Sequence, residues 1–320
     1  MKVLPLNSQI KNSPSWLTFS QREKSLFYSE QWQAIYADRD LRICVILNNN
    51  EDVIGVFQYL VFEKLIFKMA ITPPFCPSIG LHYINPGESV VGRNSFTKEL
   101  LTAVAAYFAE QGHDLVDLAL PAEIQDTQPF TWKGMRSVLR YSYWIDLKQT
   151  EEELWKKLSG EKRKSVTKAE KDALIIERSE DFPVIADLIV ASLERNKALK
   201  NEELIRRIIS DSMKDQVIAF TARHGGELLA ATFCVKDTDK VIYLFGGTAA
   251  TNRHHGAGVA CMWRSILFAK QSGAHVFDFE GSMQPGIEKY FREFGGDLIS
   301  YAAIEKSGLL LSLLMKLRKR

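Results

Sequence analysis

The chain has 320 residues, 46% of them hydrophobic and 25% charged, which makes about two domain-lengths of ordinary globular sequence and excludes collagen-like, coiled-coil and disordered chains. Lys plus Arg number 41 against 39 Asp plus Glu, a formal net charge of +2, which argues against a dedicated DNA-binding protein. Cys44, Cys76, Cys234 and Cys261 form no C-x-x-C pair and read as buried thiols of a reducing compartment, neither a metal site nor a disulfide frame.

In chain order, residues 1–7 lack the apolar core of a signal peptide. No apolar run approaches the roughly 18 residues of a membrane span, so a cytoplasmic protein is expected. Residues 28–37 read as a helix. Residues 43–47 and 53–59 flank Asn48-Asn49-Asn50-Glu51-Asp52 as a hairpin. Residues 65–70 predict a third strand, and the proline cluster Pro73-Pro74-Phe75-Cys76-Pro77 interrupts regular structure. Residues 94–111 form an amphipathic helix with Leu100, Leu101, Val104 and Phe108 on one face, and 138–147 a long strand. A charged helix starts at Glu151, followed by a strand at 174–176 and helices at 182–193 and 202–213. A second hairpin, 217–222 and 228–235, turns at Gly225-Gly226. Then come a strand at 241–245, a helix at 258–270, a strand at 276–279, a short helix at 287–294 and a strand at 299–304. The tail, 308–320, is apolar and ends with four basic residues in its last five. It suits a terminal helix closing a groove, or peripheral contact with the inner face of an anionic membrane.

Two stretches match. Phe108-Ala109-Glu110-Gln111-Gly112 precedes Asp114-Leu115-Val116-Asp117-Leu118, and Phe268-Ala269-Lys270-Gln271-Ser272-Gly273 precedes His275-Val276-Phe277-Asp278-Phe279. In each, a helix ends in glycine and an aspartate follows five positions later. The glycines are roughly half the chain apart, which predicts two versions of one domain in tandem, 1–150 and 151–320. Each is expected to be of the α/β (α+β) class, a mixed and mostly antiparallel sheet flanked by helices.

Between the strand at 241–245 and the next helix lies Arg253-His254-His255-Gly256-Ala257-Gly258, an R-x-x-G-x-G string. Glycines at a helix start let backbone N–H groups approach an anion, and the helix dipole favours one there. Arg253, Gly256, Ala257 and Gly258 are therefore candidates for holding a pyrophosphate. An ordinary glycine-rich N-cap has the same appearance.

This string resembles the acyl-CoA loop of the GNAT N-acyltransferases. Phe277-Asp278-Phe279-Glu280-Gly281-Ser282, Pro285-Gly286-Ile287 and Tyr290-Phe291-Arg292-Glu293-Phe294-Gly295-Gly296 are similar to the tandem-GNAT group that includes the Fem peptidyltransferases and BioF2-like acetyltransferases. The basic segment 162–171 resembles the opening of that group's second domain. The resemblance implies two GNAT-like domains. It also implies acetyl-CoA or another acyl-CoA as co-substrate, bound in the second domain only, with no metal. The first domain would shape the groove for an amine acceptor, a small molecule or an envelope precursor. Phe291 stands where many GNAT enzymes carry an acidic tyrosine, with Tyr290 beside it, and Arg292 replaces the group's usual lysine.

Acyl transfer to an amine needs a proton acceptor, a proton donor and donors to an oxyanion. Asp278 and Glu280, two apart on a strand, are expected on one face as candidate bases. Tyr290 is the candidate acid, and Arg292 can hold an anion. Gly246 and Gly247 are expected to let the strand splay beside the thioester. Arg163, Lys164 and Lys168 could grip a phosphate-bearing acceptor. Two other functions remain open: an aminoacyl-tRNA-dependent ligase, the one reading with tRNA as a partner, and a non-catalytic binding module.

Overall fold

The computed structural model describes residues 1–281, 283–308 and 311. Ser282, the last residue of the D-F-x-G-S element, lies outside these, as does most of the tail on which the membrane reading rests.

The strands of the first half are β1 (Lys2–Pro5), β2 (Asp40–Leu47), β3 (Val53–Lys64), β4 (Phe67–Ile71), β5 (His82–Tyr83), β6 (Leu115–Ala119) and β7 (Arg136–Asp146). Those of the second are β8 (Ile175–Arg178), β9 (Val217–His224), β10 (Glu227–Asp237), β11 (Lys240–Thr248), β12 (Val276–Asp278) and β13 (Asp297–Ser307). The helices begin with α1 (Ser8–Lys11), α2 (Pro14–Arg22), α3 (Glu30–Ala34), α4 (Val90–Glu110) and α5 (Gln128–Trp132). They continue with α6 (Glu151–Lys157), α7 (Gly160–Lys171), α8 (Phe182–Arg195), α9 (Glu202–Ile208), α10 (Ala257–Gln271) and α11 (Pro285–Arg292).

Two compact units divide the chain. One takes 1–27, 36–140 and 300 onward, the other 28–35 and 141–299. The division therefore falls inside β7, between Arg140 and Tyr141, where the sequence reading placed it after 150, and the first unit takes back the end of β13. Long-range pairing explains the difference. In the first unit β13 pairs antiparallel with β6, Ala303 opposite Ala119. In the second β7 pairs antiparallel with β12, Asp146 opposite Val276. Each sheet thus gains a strand that sequence order assigns to the other half.

The doubled topology is plain within each unit. The first runs β1-β2-β3-β4 as an antiparallel series, then β6 parallel to β4. The second runs β8-β9-β10-β11 antiparallel, then β12 parallel to β11. The helix linking the parallel pair is α4 in one and α10 in the other. Gly112 and Gly273 follow these helices with φ of +66° and +82°, the left-handed backbone that ends a helix cheaply only at glycine.

Leu100, Leu101, Val104 and Phe108 of α4 are buried as their spacing predicts, against Phe57, Tyr59 and Val116. In the second unit α10 buries Cys261, Met262, Ile266 and Ala269 in a core with Phe277, Phe279, Phe291 and Phe294. All four cysteines are free and buried. Burial pushes the Cys44 thiol up to about 11, so it stays protonated and behaves as a small apolar side chain.

Candidate functional site

The site is built where two strands part. β11 pairs with β10 along its length, but the register slips between Phe233 and Cys234, which face Phe245 and Tyr243. Leu244 is the extra residue, a bulge that re-aims the strand. On its other edge β11 pairs with β12 only from Lys240↔Val276 to Ile242↔Asp278. Beyond that point the recorded strand partner of Tyr243–Thr248 is β10 alone. A cavity of about 360 Å³ lies against this segment, lined by Tyr243, Gly246 and Thr248 and by Gly258, Val259 and Tyr290 among others.

The turn that takes the chain away from β11 is held by Asp278 and Ser142. Ser142 Oγ donates to Asp278 Oδ1 at 2.5 Å, and the Glu280 N–H donates to the same oxygen at 2.8 Å. The Gly281 N–H donates to Ser142 Oγ at 3.0 Å. Glu280 has a φ of +58°, a conformation that costs a non-glycine residue about 1–2 kcal/mol. These bonds offset that cost and fix the point at which the cleft opens. Asp278 and Glu280 accordingly do not share a strand face as the sequence reading expected: the strand ends at Asp278, and the left-handed residue breaks the alternation. The Asp278 carboxylate is committed to the turn.

The start of α10 faces the same cavity. Its N-cap is Gly256, which has no side chain to cap the helix. The Gly256 N–H donates to His254 Nδ1 at 3.0 Å and the Ala257 N–H to the His254 carbonyl at 3.1 Å. The next two amides, of Gly258 and Val259, lie too early in the helix for an intrahelical acceptor, and among the described residues none is recorded for them. Both residues line the cavity. Two unpaired N–H groups at the positive end of a helix dipole can hold an anion. His254 Nε2 bonds Asp172 Oδ2 at 2.9 Å. Because Nδ1 accepts from a backbone amide, Nε2 carries the proton. Hydrogen bonds from Lys168 and His254 lower the Asp172 carboxyl to about 2.

The predicted residues separate by position. Arg253, Gly246, Gly247, Gly258 and Tyr290 line the cavity. Gly256 does not, because a Cβ there would run into the Ser165 carbonyl of α7; this glycine lets two helices touch. Ala257 is buried, 1% exposed, with its amide taken. Gly246 and Gly247 remain paired with Thr232 and Ala231 of β10, so the opening comes from the departure of β12 and not from these glycines splaying. A Cβ on Gly247 would approach Ile189 Cα of α8 to 2.8 Å.

Of the basic residues, Arg163 donates to the carbonyls of Lys156 and Leu158, and Lys168 Nζ sits 2.6 Å from Asp172. Lys164 is exposed. Arg292 Nε lies 3.4 Å from Glu288 Oε1. Glu280 carries the most perturbed carboxyl near the turn, raised to about 8 by burial and then by the adjacent Asp278 charge.

Several contributors were not among the predicted site residues. Lys162 is 6% exposed, with Nζ 3.6 Å from the centroid of the Tyr290 ring and 3.4 Å from Glu293 Oε2. It fastens α7 to the helix that presents Tyr290. Ser192 and Asn196 of α8 and Tyr243 of β11 line the cavity, and Arg195 Nη2 donates to the Thr248 carbonyl at 2.8 Å. Among the described residues no cluster of His, Cys, Asp and Glu could hold a metal ion, and no helix is long and apolar enough to cross a membrane.

Residues 156–292 match the family model described as an acetyltransferase (GNAT) domain. The aminoacyltransferase FemA of Staphylococcus epidermidis is 26% identical over 112 residues, 32% of this chain. The match spans only 27% of that relative's length. A crystal structure of FemX covers 94% of this chain and 97% of its own at 15% identity and a TM-score of 0.66. A tandem GNAT protein from the clavulanic acid biosynthesis pathway covers 95% and 97% at 10% identity and a TM-score of 0.51. With its doubled topology and its strand parting, the chain has the tandem-GNAT fold of these neighbours and matches a GNAT acetyltransferase domain over residues 156–292.

Proposed function

We propose that the protein is an N-acyltransferase that takes an acyl group, acetyl for preference, from acyl-CoA and passes it to an amine of a sugar, peptide or cell-envelope precursor. The observation that carries this reading is the pair of unpaired amides, Gly258 and Val259, opening on the cavity beside β11. They suit the pyrophosphate of CoA, and the uncovered edge of β11 suits the thioester. The amine nitrogen attacks the thioester carbon and loses its proton to Glu280, whose raised value near 8 fits a base working at neutral pH. The C–S bond breaks, and the thiolate takes a proton from Tyr290. Arg292 is assigned an anionic group of the acceptor.

A second reading, an aminoacyl-tRNA-dependent ligase acting on a peptidoglycan precursor, is favoured by the likeness to FemA and FemX. A binding titration separates the two. Acetyl-CoA should raise the melting temperature of the wild type, with about 2.7 kcal/mol of stabilisation at a hundredfold excess over Kd, and Gly258→Leu should abolish the response. No response to any CoA thioester, with retention of charged tRNA on gel filtration, would replace the first reading by the second.

A further inference from the structure

The second unit holds another cavity, of about 350 Å³, that the transfer chemistry leaves unused. It is lined by Tyr141 and Tyr143 of β7, by Met283 before α11, by Pro285 and Glu288 of α11 and by Leu298 of β13. None of these residues lines the first cavity. Glu288 and Tyr290 stand two apart on α11, roughly 200° around a helix, and they serve different cavities, Tyr290 the first and Glu288 this one. The floor of the second cavity is tied to the turn that opens the cleft. Tyr141 and Tyr143 alternate with Ser142 and so share a sheet face, while Ser142 bonds Asp278 and the Gly281 amide. The Phe279 N–H donates to the Tyr143 carbonyl at 3.1 Å. Glu280, the base of the proposed transfer, lies between the two residues so bound.

The chemistry of the lining is specific. The Tyr143 hydroxyl donates to Glu288 Oε1 at 2.7 Å, and Arg292 Nε lies 3.4 Å from the same oxygen. The carboxylate charge is thus already offset, and the cavity does not call for a cation. Glu288 Oε2 has no recorded partner among the described residues, and as a carboxylate oxygen it can only accept. The Tyr141 hydroxyl both donates and accepts. Around this small polar set the walls are aromatic and aliphatic, and Met283 and Leu298 stand 59% and 56% exposed. The matching ligand is uncharged, carries several O–H groups and has an apolar face of its own. The volume is at the low end of ligand pockets, which run from about 300 to 1,000 Å³, and gives room for one ring rather than an extended chain.

We propose that this cavity seats a pyranose ring, with its C–H face on Tyr141 and a ring hydroxyl donating to Glu288 Oε2. A pyranose carries C–H groups on its faces and hydroxyls around its edge, so one ring meets both demands. An alkylamine has no hydroxyl for Tyr141, and a phosphate would lie against the Glu288 carboxylate. The part this ring plays in the reaction rests on the transferase reading, and it narrows the acceptor to an amino sugar or a glycoside whose amine reaches Glu280. The affinity for the ring does not depend on that reading. Arg292, 59% exposed beside Glu288, stays available to an anionic substituent of the same acceptor.

The test is saturation-transfer NMR on the full chain, irradiating aromatic protons and titrating methyl β-glucoside and glucosamine. The proteins are the wild type, Tyr141→Ala, Tyr141→Phe and Gly258→Leu, each checked by a melting curve. Ring C–H protons of both sugars should receive saturation from the wild type. Tyr141→Ala should bind them about tenfold more weakly through the lost apolar contact, while Tyr141→Phe, which keeps the ring, stays close to the wild type. Gly258→Leu should bind them fully, because it blocks only the first cavity. In turnover with acetyl-CoA, Tyr141→Ala should raise KM for glucosamine about tenfold and leave KM for acetyl-CoA and kcat unchanged. Absence of saturation transfer to the wild type, or equal binding by Tyr141→Ala, would overturn the proposal even if acetyl-CoA binds and the transferase reading stands. Butylamine or a lysine dipeptide serving as well as glucosamine would overturn the sugar's place in the acceptor. Sugar binding that falls in Tyr141→Ala, in a protein that ignores every CoA thioester, would uphold the pyranose site and remove the transferase reading instead.

Discussion

Gly256 and Gly258 sit two residues apart in one loop, and the structure assigns them opposite tasks, so substituting alanine at each should move stability in opposite directions. At Gly256 a Cβ would run into the Ser165 carbonyl and approach Ala169 Cβ to 3.1 Å. Neither is the free end of a flexible chain, so α7 and α10 must move apart. Overpacking of this kind costs about 1–3 kcal/mol. At Gly258 the added carbon meets only Thr248 Cγ2, at an ordinary 3.5 Å. Removing backbone freedom from the unfolded chain there is worth about 0.4–1 kcal/mol of stability. For a unit of this size each kcal/mol moves the melting temperature by about 2–4 °C. Scanning calorimetry should therefore show Gly256→Ala melting several degrees below the wild type and Gly258→Ala level with it or slightly above. The response to acetyl-CoA should run the other way, largely kept in Gly256→Ala and absent in Gly258→Leu, whose side chain enters the cavity. If Gly256→Ala is neutral, or if Gly258→Leu keeps the full acetyl-CoA response, the assignment of the two glycines is wrong.

The remaining expectations concern titrating groups and the turn. His113 is 5% exposed, and its pKa is lowered to about 4, first by burial and then by Lys68 and Arg42. The unfolded chain binds its proton from about pH 6.5 downward while the folded one does not, so stability falls as pH drops from 6.5 towards 4. The loss is about 2 kcal/mol by pH 5, read from urea curves, and His113→Leu should flatten that slope; an unchanged slope would exclude His113 as its source. Under the proposed chemistry, CoA release with an amine panel should rise with pH up to about 8 through the Glu280 carboxyl, and Glu280→Gln should remove that rise. Tyr290→Phe should keep the acetyl-CoA thermal shift while slowing turnover by about 10²–10⁴; an unchanged rate would remove Tyr290 from the chemistry. Ser142→Ala deprives both the Asp278 carboxylate and the Gly281 amide of a partner, a loss of about 1–3 kcal/mol that a melting curve detects.

The parts of the fold that were legible in the sequence are those written locally. The turn at 48–52 and Gly225-Gly226 marked hairpins that the structure contains. The apolar stripe of α4 and the helix–glycine–strand echo at Gly112 and Gly273 revealed the doubling. Non-local pairing was invisible. Nothing within 136–146 or 297–307 states that the two strands end beside partners from opposite halves of the chain, since strand neighbours are chosen by sheet-wide packing. The turn at Leu65-Ile66 was read as the start of a strand, because two aliphatic residues match a strand pattern, yet Leu65 has a positive φ and both side chains are exposed. The site divided in the same way. The R-x-x-G-x-G string located a helix start, but which glycine meets a ligand and which meets α7 depends on a helix nearly ninety residues earlier. The opening beside β11 depends on Ser142, which no local pattern connects to Asp278.

Comparison of the two repeats shows what the cap changes at the start of the linking helix. α4 and α10 occupy the same place in the topology, each linking a strand to its parallel neighbour. At the start of α4 the Ser89 hydroxyl accepts from the Gly92 N–H at 3.0 Å, which satisfies an amide that would otherwise face outward. At the start of α10 the equivalent position is Gly256, and the amides of Gly258 and Val259 are left without an internal partner. A serine cap contributes about 1 kcal/mol where glycine at the same place gives up only a few tenths. A glycine cap is therefore nearly as stable, and it leaves the donors available. The closeness of α7 requires that same glycine, because a serine Cβ would meet the Ser165 carbonyl. Packing against α7 thus excludes a side-chain cap from the second repeat, and the unpaired donors at the cavity follow from helix packing together with the loop. Gly256 supports the anion site while pointing away from it, through the contact that the Gly256→Ala measurement examines.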